Sequence, residues 1–277
     1  MRAILILSLT MIFFGSELFA GGHSSTLQDV KARGKLRCVV TTGLPGFAAP
    51  DANGVWRGFD WDFCRATAAA VLGDANAVDP ITSTGKTRFT KLNAGEGDVL
   101  WRNTTITFSR DVSVKLRFLG VNYYDGQGFM VNKSLGVSSA KELDGASVCI
   151  QTGTTTELNL ADFFSSNNMS YEAVTIETND EARQNYEAGR CDIYTTDASG
   201  LASTRSSLPN PNDHMVLPEI ISKEPLGPAV RQGDDAWADI ITWVLNATIT
   251  AEELGVNSAN VDQMKNSNNP EIRRMLG

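Results

Sequence analysis

The sequence predicts an α/β protein made of two similar units, and three observations carry that expectation. Apolar, strand-like runs alternate with helical patterns along the chain, which is the mark of a mostly parallel sheet. Two seven-residue stretches echo each other, 94-AGEGDVL-100 and 188-AGRCDIY-194. Each reads as a helix broken by Gly in its last turn, followed by Asp and an apolar strand. Each of those strands then meets polar residues at once: Arg102-Asn103-Thr104-Thr105 after the first, Thr195-Thr196-Asp197 in the second. Ligands of open α/β sheets sit at the carboxyl ends of strands. Two such units placed face to face put both polar clusters on one shared cleft.

The elements follow in order. The stretch 35-KLRCVVTTG-43 reads as a strand ending in a Gly-Pro loop, 43-GLPGFAAPDANG-54. A helix covers 59–73, with Asp60 or Asp62 as its cap and Gly73 as its stop. A second helix covers about 86–94, with Phe89 and Leu92 on one face, and a strand covers 99–101. The pattern restarts with a strand at 146–150. A polar turn there runs into a helix, 151-QTGTTTELNLADFF-164. A strand at 171–176, a helix at 179–190 capped by Asn179, and a strand at 191–197 complete the second unit.

The boundary falls in 122-NYYDGQGFMV-131, where Gly126 and Gly128 lie between two apolar stretches. An extended, Pro-rich passage at 216–235 leads into an amphipathic helical pattern at 236–255. If that helix packs on the first unit, the chain crosses between units twice. Domain 1 is then residues 21–126 and 226–277, domain 2 is the insertion 127–225, and the two crossing strands form a hinge.

The first 20 residues read as an export signal. Arg2 precedes the apolar run 3-AILILSLTMIFFG-15, and a cut is expected near Ala20. The run is shorter than the roughly 20 apolar residues a membrane span needs. No Cys lies near the cut, so no lipid anchor is expected. The mature protein is expected to be soluble and outside the cytoplasm, where the even count of four cysteines suggests disulfides. Spacing leaves all three connectivities open. With no CxxC and only His23 and His214, no metal site and no cofactor is expected. The net charge of -8 argues against nucleic acid, which calls for clustered Lys and Arg.

Catalytic patterns are absent from the sequence: there is no P-loop, no GxGxxG after a strand, and no histidine beside a promising Ser or Cys. Binding chemistry fits better. Arg110 offers a planar fork matched to a carboxylate, with donors from Asn103 and Thr105 beside it. The turn 152-TGTTTE-157 enters a helix, where backbone N–H groups attract anions. Asp197 suits an ammonium. Together these describe the head of an α-amino acid. Plainer roles stand beside them. Arg110 next to Asp111 fits a surface ion pair, residues 153–156 fit a helix cap, and Asp197 fits a cap for the helix starting at Ala198. Arg102 is read as structural support.

Five stretches carry a resemblance that spans nearly all of the mature chain: 43-GLPGFAAPDANGVWRGFDWDFCRA-66, 102-RNTTITFSRD-111, 151-QTGTTTELNLADFF-164, 190-RCDIYTTDASGL-201 and 253-ELGVNSANVD-262 with 268-NNPEIRRMLG-277. The sequence resembles the periplasmic amino-acid-binding proteins of ABC importers, in particular the general L-amino-acid-binding group. That resemblance implies the two-lobed, type II periplasmic-binding-protein fold, a periplasmic location, an L-amino acid ligand and an inner-membrane permease as partner. It implies Arg110 on the ligand carboxylate, helped by Thr105 and the backbone at Thr154 and Thr155. Asn103 lines the same site, Asp197 takes the amino group, and the loop with Leu44 and Phe47 covers the side chain. It also implies the pairs Cys38–Cys64 and Cys149–Cys191, a monomer, and no catalysis. Members of that group continue past the NPEIRR segment, and surface helices on domain 1 are expected there. The alternative is an exported dehydratase on the same scaffold, with Glu157 or Asp197 as acid or base. A sensing module for a separate receptor is a third reading.

Overall fold

The computed structural model describes residues 25–277; the expected signal segment, its cut and His23 lie outside them. Two five-stranded sheets form the frame. In the first, the order is Val78–Ser83, Leu36–Thr41, Val99–Leu100, Ala229–Arg231, Leu116–Phe118. The first three run parallel, and Ala229–Arg231 runs against both its neighbours. In the second, the order is Tyr171–Ile176, Ala146–Gln151, Ile193–Asp197, Gln127–Asn132, His214–Val216. Again three strands are parallel, and the fourth, Gln127–Asn132, is antiparallel to both neighbours. The two lobes therefore share one topology, with the reversed strand entering from the other lobe in each case.

The sequence echo has a physical cause in this frame. Gly95 and Gly189 end equivalent helices at φ 74° and 68°, a backbone region that favours glycine. The Asp that follows then hooks the neighbouring strand. Asp98 accepts the N–H of Arg37 at 2.7 Å and gives its own N–H to the Arg37 carbonyl at 2.8 Å. Asp192 does the same with Ser147, at 2.9 and 3.0 Å. The repeated Asp sets the start of each central strand against its partner.

Two short strands, Tyr123–Asp125 and Glu224–Leu226, pair antiparallel as a ribbon between the lobes. The helix Asp235–Glu253 packs on the first lobe: Trp237 joins Trp61, Phe63 and Trp101 in the core there, and its Nε1 donates to the Asp98 carbonyl at 2.9 Å. The disulfides are Cys38–Cys64 and Cys149–Cys191, each within a single lobe. The lobe 2 core gathers Phe129, Leu160, Phe164 and Ile193. No helix among the described residues is long and apolar enough to cross a membrane.

Two caps differ from expectation. The helix Phe59–Leu72 has Gly58 at its N-cap and no side-chain cap, because Asp60 turns inward to another partner. The helix Asn179–Glu187 is capped by Thr178 in a capping box with Glu181. Asn179 is left to reach across to the other lobe.

Candidate ligand-binding site

Every loop at the cleft leaves the carboxyl end of a parallel strand. The lobes touch along both rims. On one, Asn179 Nδ2 donates to Thr41 Oγ1 at 3.2 Å, and Ser203 Oγ donates to the Pro45 carbonyl at 2.7 Å. On the other, a Cβ added to Gly153 would lie 2.9 Å from Lys86 Cα, and one on Gly85 would lie 2.9 Å from Thr154 Cγ2. Between the rims lies a cavity lined by Arg88, Arg102, Asn103, Thr105, Gln151, Thr154, Thr155, Thr156, Thr196 and Asp197. Five of the residues singled out from sequence meet there: Asn103, Thr105, Thr154, Thr155 and Asp197.

Asp197 is buried at the start of the helix Ala198–Ser206, yet its side chain makes no cap hydrogen bond. Its carboxyl is therefore free for the cavity. Burial, with help from the nearby acids Asp125 and Glu224, pushes it up to about 8, against the pull of Arg88 and Arg110. Thr154 is a cap: its hydroxyl accepts from the Glu157 N–H at 3.3 Å and donates to the Gln151 carbonyl at 2.7 Å. The first backbone N–H groups of the helix Thr155–Ser166 have no partner within the helix, and Thr154, Thr155 and Thr156 at that helix start line the cavity.

The arginines are arranged differently from expectation. Arg102, read as support, lines the cavity, with Nε 3.4 Å from the Ser83 carbonyl. Burial lowers it to about 10, opposed by Asp60. Arg88, on the helix Arg88–Asn93, also lines the cavity and is held well below its ordinary value by burial and by the charges of Arg102 and Arg110. Arg110 is not among the residues lining this cavity. Its Nη1 donates to the Thr105 carbonyl at 2.8 Å, and its guanidinium lies 5.4 Å over the Phe89 ring. Burial lowers it as well, opposed by Glu224 and Asp197. Leu44 and Phe47 pack with Leu226 in a small apolar cluster instead of lining the cavity.

Reading the sequence missed four residues. Asp60 is buried, accepts the Asn103 N–H at 2.7 Å and faces Arg102. Glu224 sits at the ribbon and accepts the Thr105 hydroxyl at 2.5 Å. Gln127 is fully buried, with Nε2 on Thr195 Oγ1 at 3.0 Å and on the Thr156 carbonyl at 3.2 Å. Arg88 is the fourth. No local signal marks them: Asp60 and Arg88 belong to segments that read as ordinary helix, Gln127 to the boundary stretch and Glu224 to the Pro-rich passage. Arg88 Nε, Asn103 Oδ1, Thr152 Oγ1 and Gln127 Oε1 are buried with no hydrogen-bond partner among the described residues. Such atoms are costly unless a ligand or water satisfies them.

Two guanidiniums, one carboxyl and a helix start line one cavity between the two lobes, with Arg110, Asp60 and Glu224 bonded to its lining. The chain belongs to the bacterial extracellular solute-binding proteins, family 3, whose model matches residues 36–257. It is 62% identical over 271 residues to the glutamate/glutamine/aspartate/asparagine-binding protein BztA of Rhodobacter capsulatus, covering 96% of this chain and 80% of that one. It is 58% identical over 267 residues to the general L-amino acid-binding periplasmic protein AapJ of Rhizobium johnstonii, covering 95% and 78%. A solved periplasmic binding protein from Brucella ovis with glutathione bound superposes with a TM-score of 0.89 at 56% identity, covering 92% of this chain and 80% of that one.

Proposed function

We propose that this protein captures an L-α-amino acid between its lobes outside the cytoplasm and delivers it to the membrane permease of an ABC importer. The observation that carries the reading is the convergence of Asp197 with Arg88 and Arg102 on one interlobe cavity, with Arg110 bonded to its lining. The ligand ammonium meets Asp197. Its α-carboxylate meets the helix start at Thr155 and the arginine cluster, in which Arg110 is the residue assigned to it by resemblance. Beyond the head group, Arg88 and the unpartnered Asn103 Oδ1 favour a side chain that ends in an acid or amide. BztA's name reads the same way.

In this reading the lobes are domain 1 (21–126 and 226–277) and domain 2 (127–225), and the ribbon at Tyr123–Asp125 and Glu224–Leu226 is the hinge. Ligand favours closure because only the closed arrangement brings Asp197 of one lobe to the arginines of the other. The protein works as a periplasmic monomer without catalysis. The test is titration calorimetry with a panel of amino acids after denaturation and refolding to strip carried-over ligand. Glutamate, aspartate, glutamine and asparagine are expected to bind most tightly. Absence of heat and of thermal stabilisation with every amino acid would sink the reading.

A further inference from the structure

Glu224 is 2% exposed and satisfied by four donors from different parts of the chain. Its Oε2 accepts the hydroxyls of Thr105 at 2.5 Å and Thr155 at 2.8 Å. Its Oε1 accepts Asn159 Nδ2 at 2.7 Å and Ser222 Oγ at 2.6 Å. Thr105 belongs to the first lobe, Thr155 and Asn159 to one helix of the second, and Ser222 to the passage that returns between them. One carboxylate thus bonds both lobes from the ribbon itself.

The bonds also fix what the two threonines offer the cavity. A hydroxyl has one proton to donate and lone pairs to accept with, and a carboxylate only accepts. Thr105 and Thr155 both line the cavity. With their protons committed to Glu224, their oxygens, 3.4 Å apart, are left as acceptors at the cavity wall. This changes the role expected from sequence, where Thr105 was a donor for a carboxylate. Two acceptors beside Asp197 fit an ammonium, and the carboxylate is left to the helix start and the arginines.

We propose that Glu224 is a positioning residue of the ligand site: it takes the hydroxyl protons of Thr105 and Thr155, turns both into acceptors for the ligand's α-ammonium, and ties the lobes together through them. The ligand half rests on the amino-acid reading above. Glu224→Gln keeps the shape and removes this control when its amide N–H faces the threonines, the orientation that avoids setting it against the Asn159 Nδ2 donor; it then donates to one of the hydroxyls, whose proton turns toward the ligand.

The probes are L-glutamate and glutarate, which differ only in the α-ammonium. Calorimetry on the wild-type chain is expected to favour glutamate strongly, since a site built for a donor rejects an analogue lacking it. In E224Q that preference is expected to shrink about tenfold, or roughly 1.4 kcal/mol. An unchanged ratio, even with weaker binding of both probes, means a merely structural residue and overturns the proposal. Should E224Q fail to fold, the variant N159A/S222A loosens the carboxylate without touching the cavity wall. Its glutamate-to-glutarate ratio is expected to fall in the same sense, and an unchanged ratio again overturns the proposal. Small-angle scattering of the free proteins judges the tie without any ligand. A larger radius of gyration in E224Q than in wild type supports it, and equal radii overturn it. If the wild type binds no amino acid, the functional reading fails while the scattering result still decides whether Glu224 holds the lobes.

Discussion

The backbone N–H of Asn103 is held by the Asp60 carboxyl at 2.7 Å, so a residue of the first long helix fixes the loop that carries half of the candidate site. Asp60 also faces Arg102, and burial pushes it up to about 6 against that charge and the Asn103 N–H. Asp60→Ala leaves a buried guanidinium without its partner and is expected to cost about 3 kcal/mol of stability. Asp60→Asn, which keeps an acceptor for Asn103, is expected to cost less. Urea unfolding of the two variants checks the order; equal losses would show that the charge contributes nothing.

Asp197 predicts the pH dependence. Its folded-state value of about 8 lies above the ordinary 3.8, so the free protein binds this proton more tightly folded than unfolded. The stabilisation is fully present below the ordinary value and is lost as pH rises toward about 8. Binding runs the other way, because an ammonium favours the ionised acid. Affinity is expected to rise about tenfold per pH unit below about pH 8 and then level off. Near pH 7 binding releases close to one proton, so the measured heat changes with the buffer's ionisation enthalpy. A heat independent of buffer would remove Asp197 as the ammonium's partner.

Gly85 tests closure by steric means. A Cβ there meets Thr154 Cγ2 at 2.9 Å and the Thr152 carbonyl at 3.1 Å, both on the opposite lobe. Gly85→Val is therefore expected to hold the lobes apart, weaken amino-acid binding at least about tenfold and enlarge the radius of gyration. The three atoms nearest that Cβ all belong to the opposite lobe, so unfolding stability is expected to stay within about 1 kcal/mol of wild type. Wild-type affinity in this variant would mean that the rim contact is dispensable.

The arginines divide by position. Arg110→Lys is expected to lower affinity for every amino acid alike, because a point charge cannot hold the Thr105 carbonyl and stack on Phe89 as a planar fork does. Arg88→Met is expected to penalise acidic and amide side chains more than small apolar ones. Affinity panels on both variants check this, and identical profiles would merge the two roles.

Each disulfide closes a loop inside one lobe, with sequence separations of 26 and 42. Loop closure predicts about 3–4 kcal/mol lost for each when reduced. Because neither bond crosses the ribbon, the paired variants C38S/C64S and C149S/C191S are expected to lose thermal stability while keeping ligand affinity wherever they remain folded. A large loss of affinity in folded protein would show that a disulfide shapes the cleft.

The sequence alone determined what depends on neighbours in the chain. Strand and helix alternation follows from side-chain periodicity, and Gly95 with Asp98, then Gly189 with Asp192, repeat because each helix must stop and each central strand must hook its partner. The polar clusters at 102–105 and 195–197 are legible because the chain has to leave an apolar strand abruptly to place them. The tertiary structure decided what depends on residues far apart. Cysteine spacing left three pairings open, and only the packing of helix on strand brings Cys38 to Cys64. Arg88 reads as a residue of an ordinary helix, Asp60 as a cap and Glu224 as part of a Pro-rich passage. Their roles arise because the ribbon brings two lobes together over one cavity, where burial makes each charge seek a partner. The energy of those pairings depends on distance and exclusion of water, and neither is written in the spacing of residues along the chain.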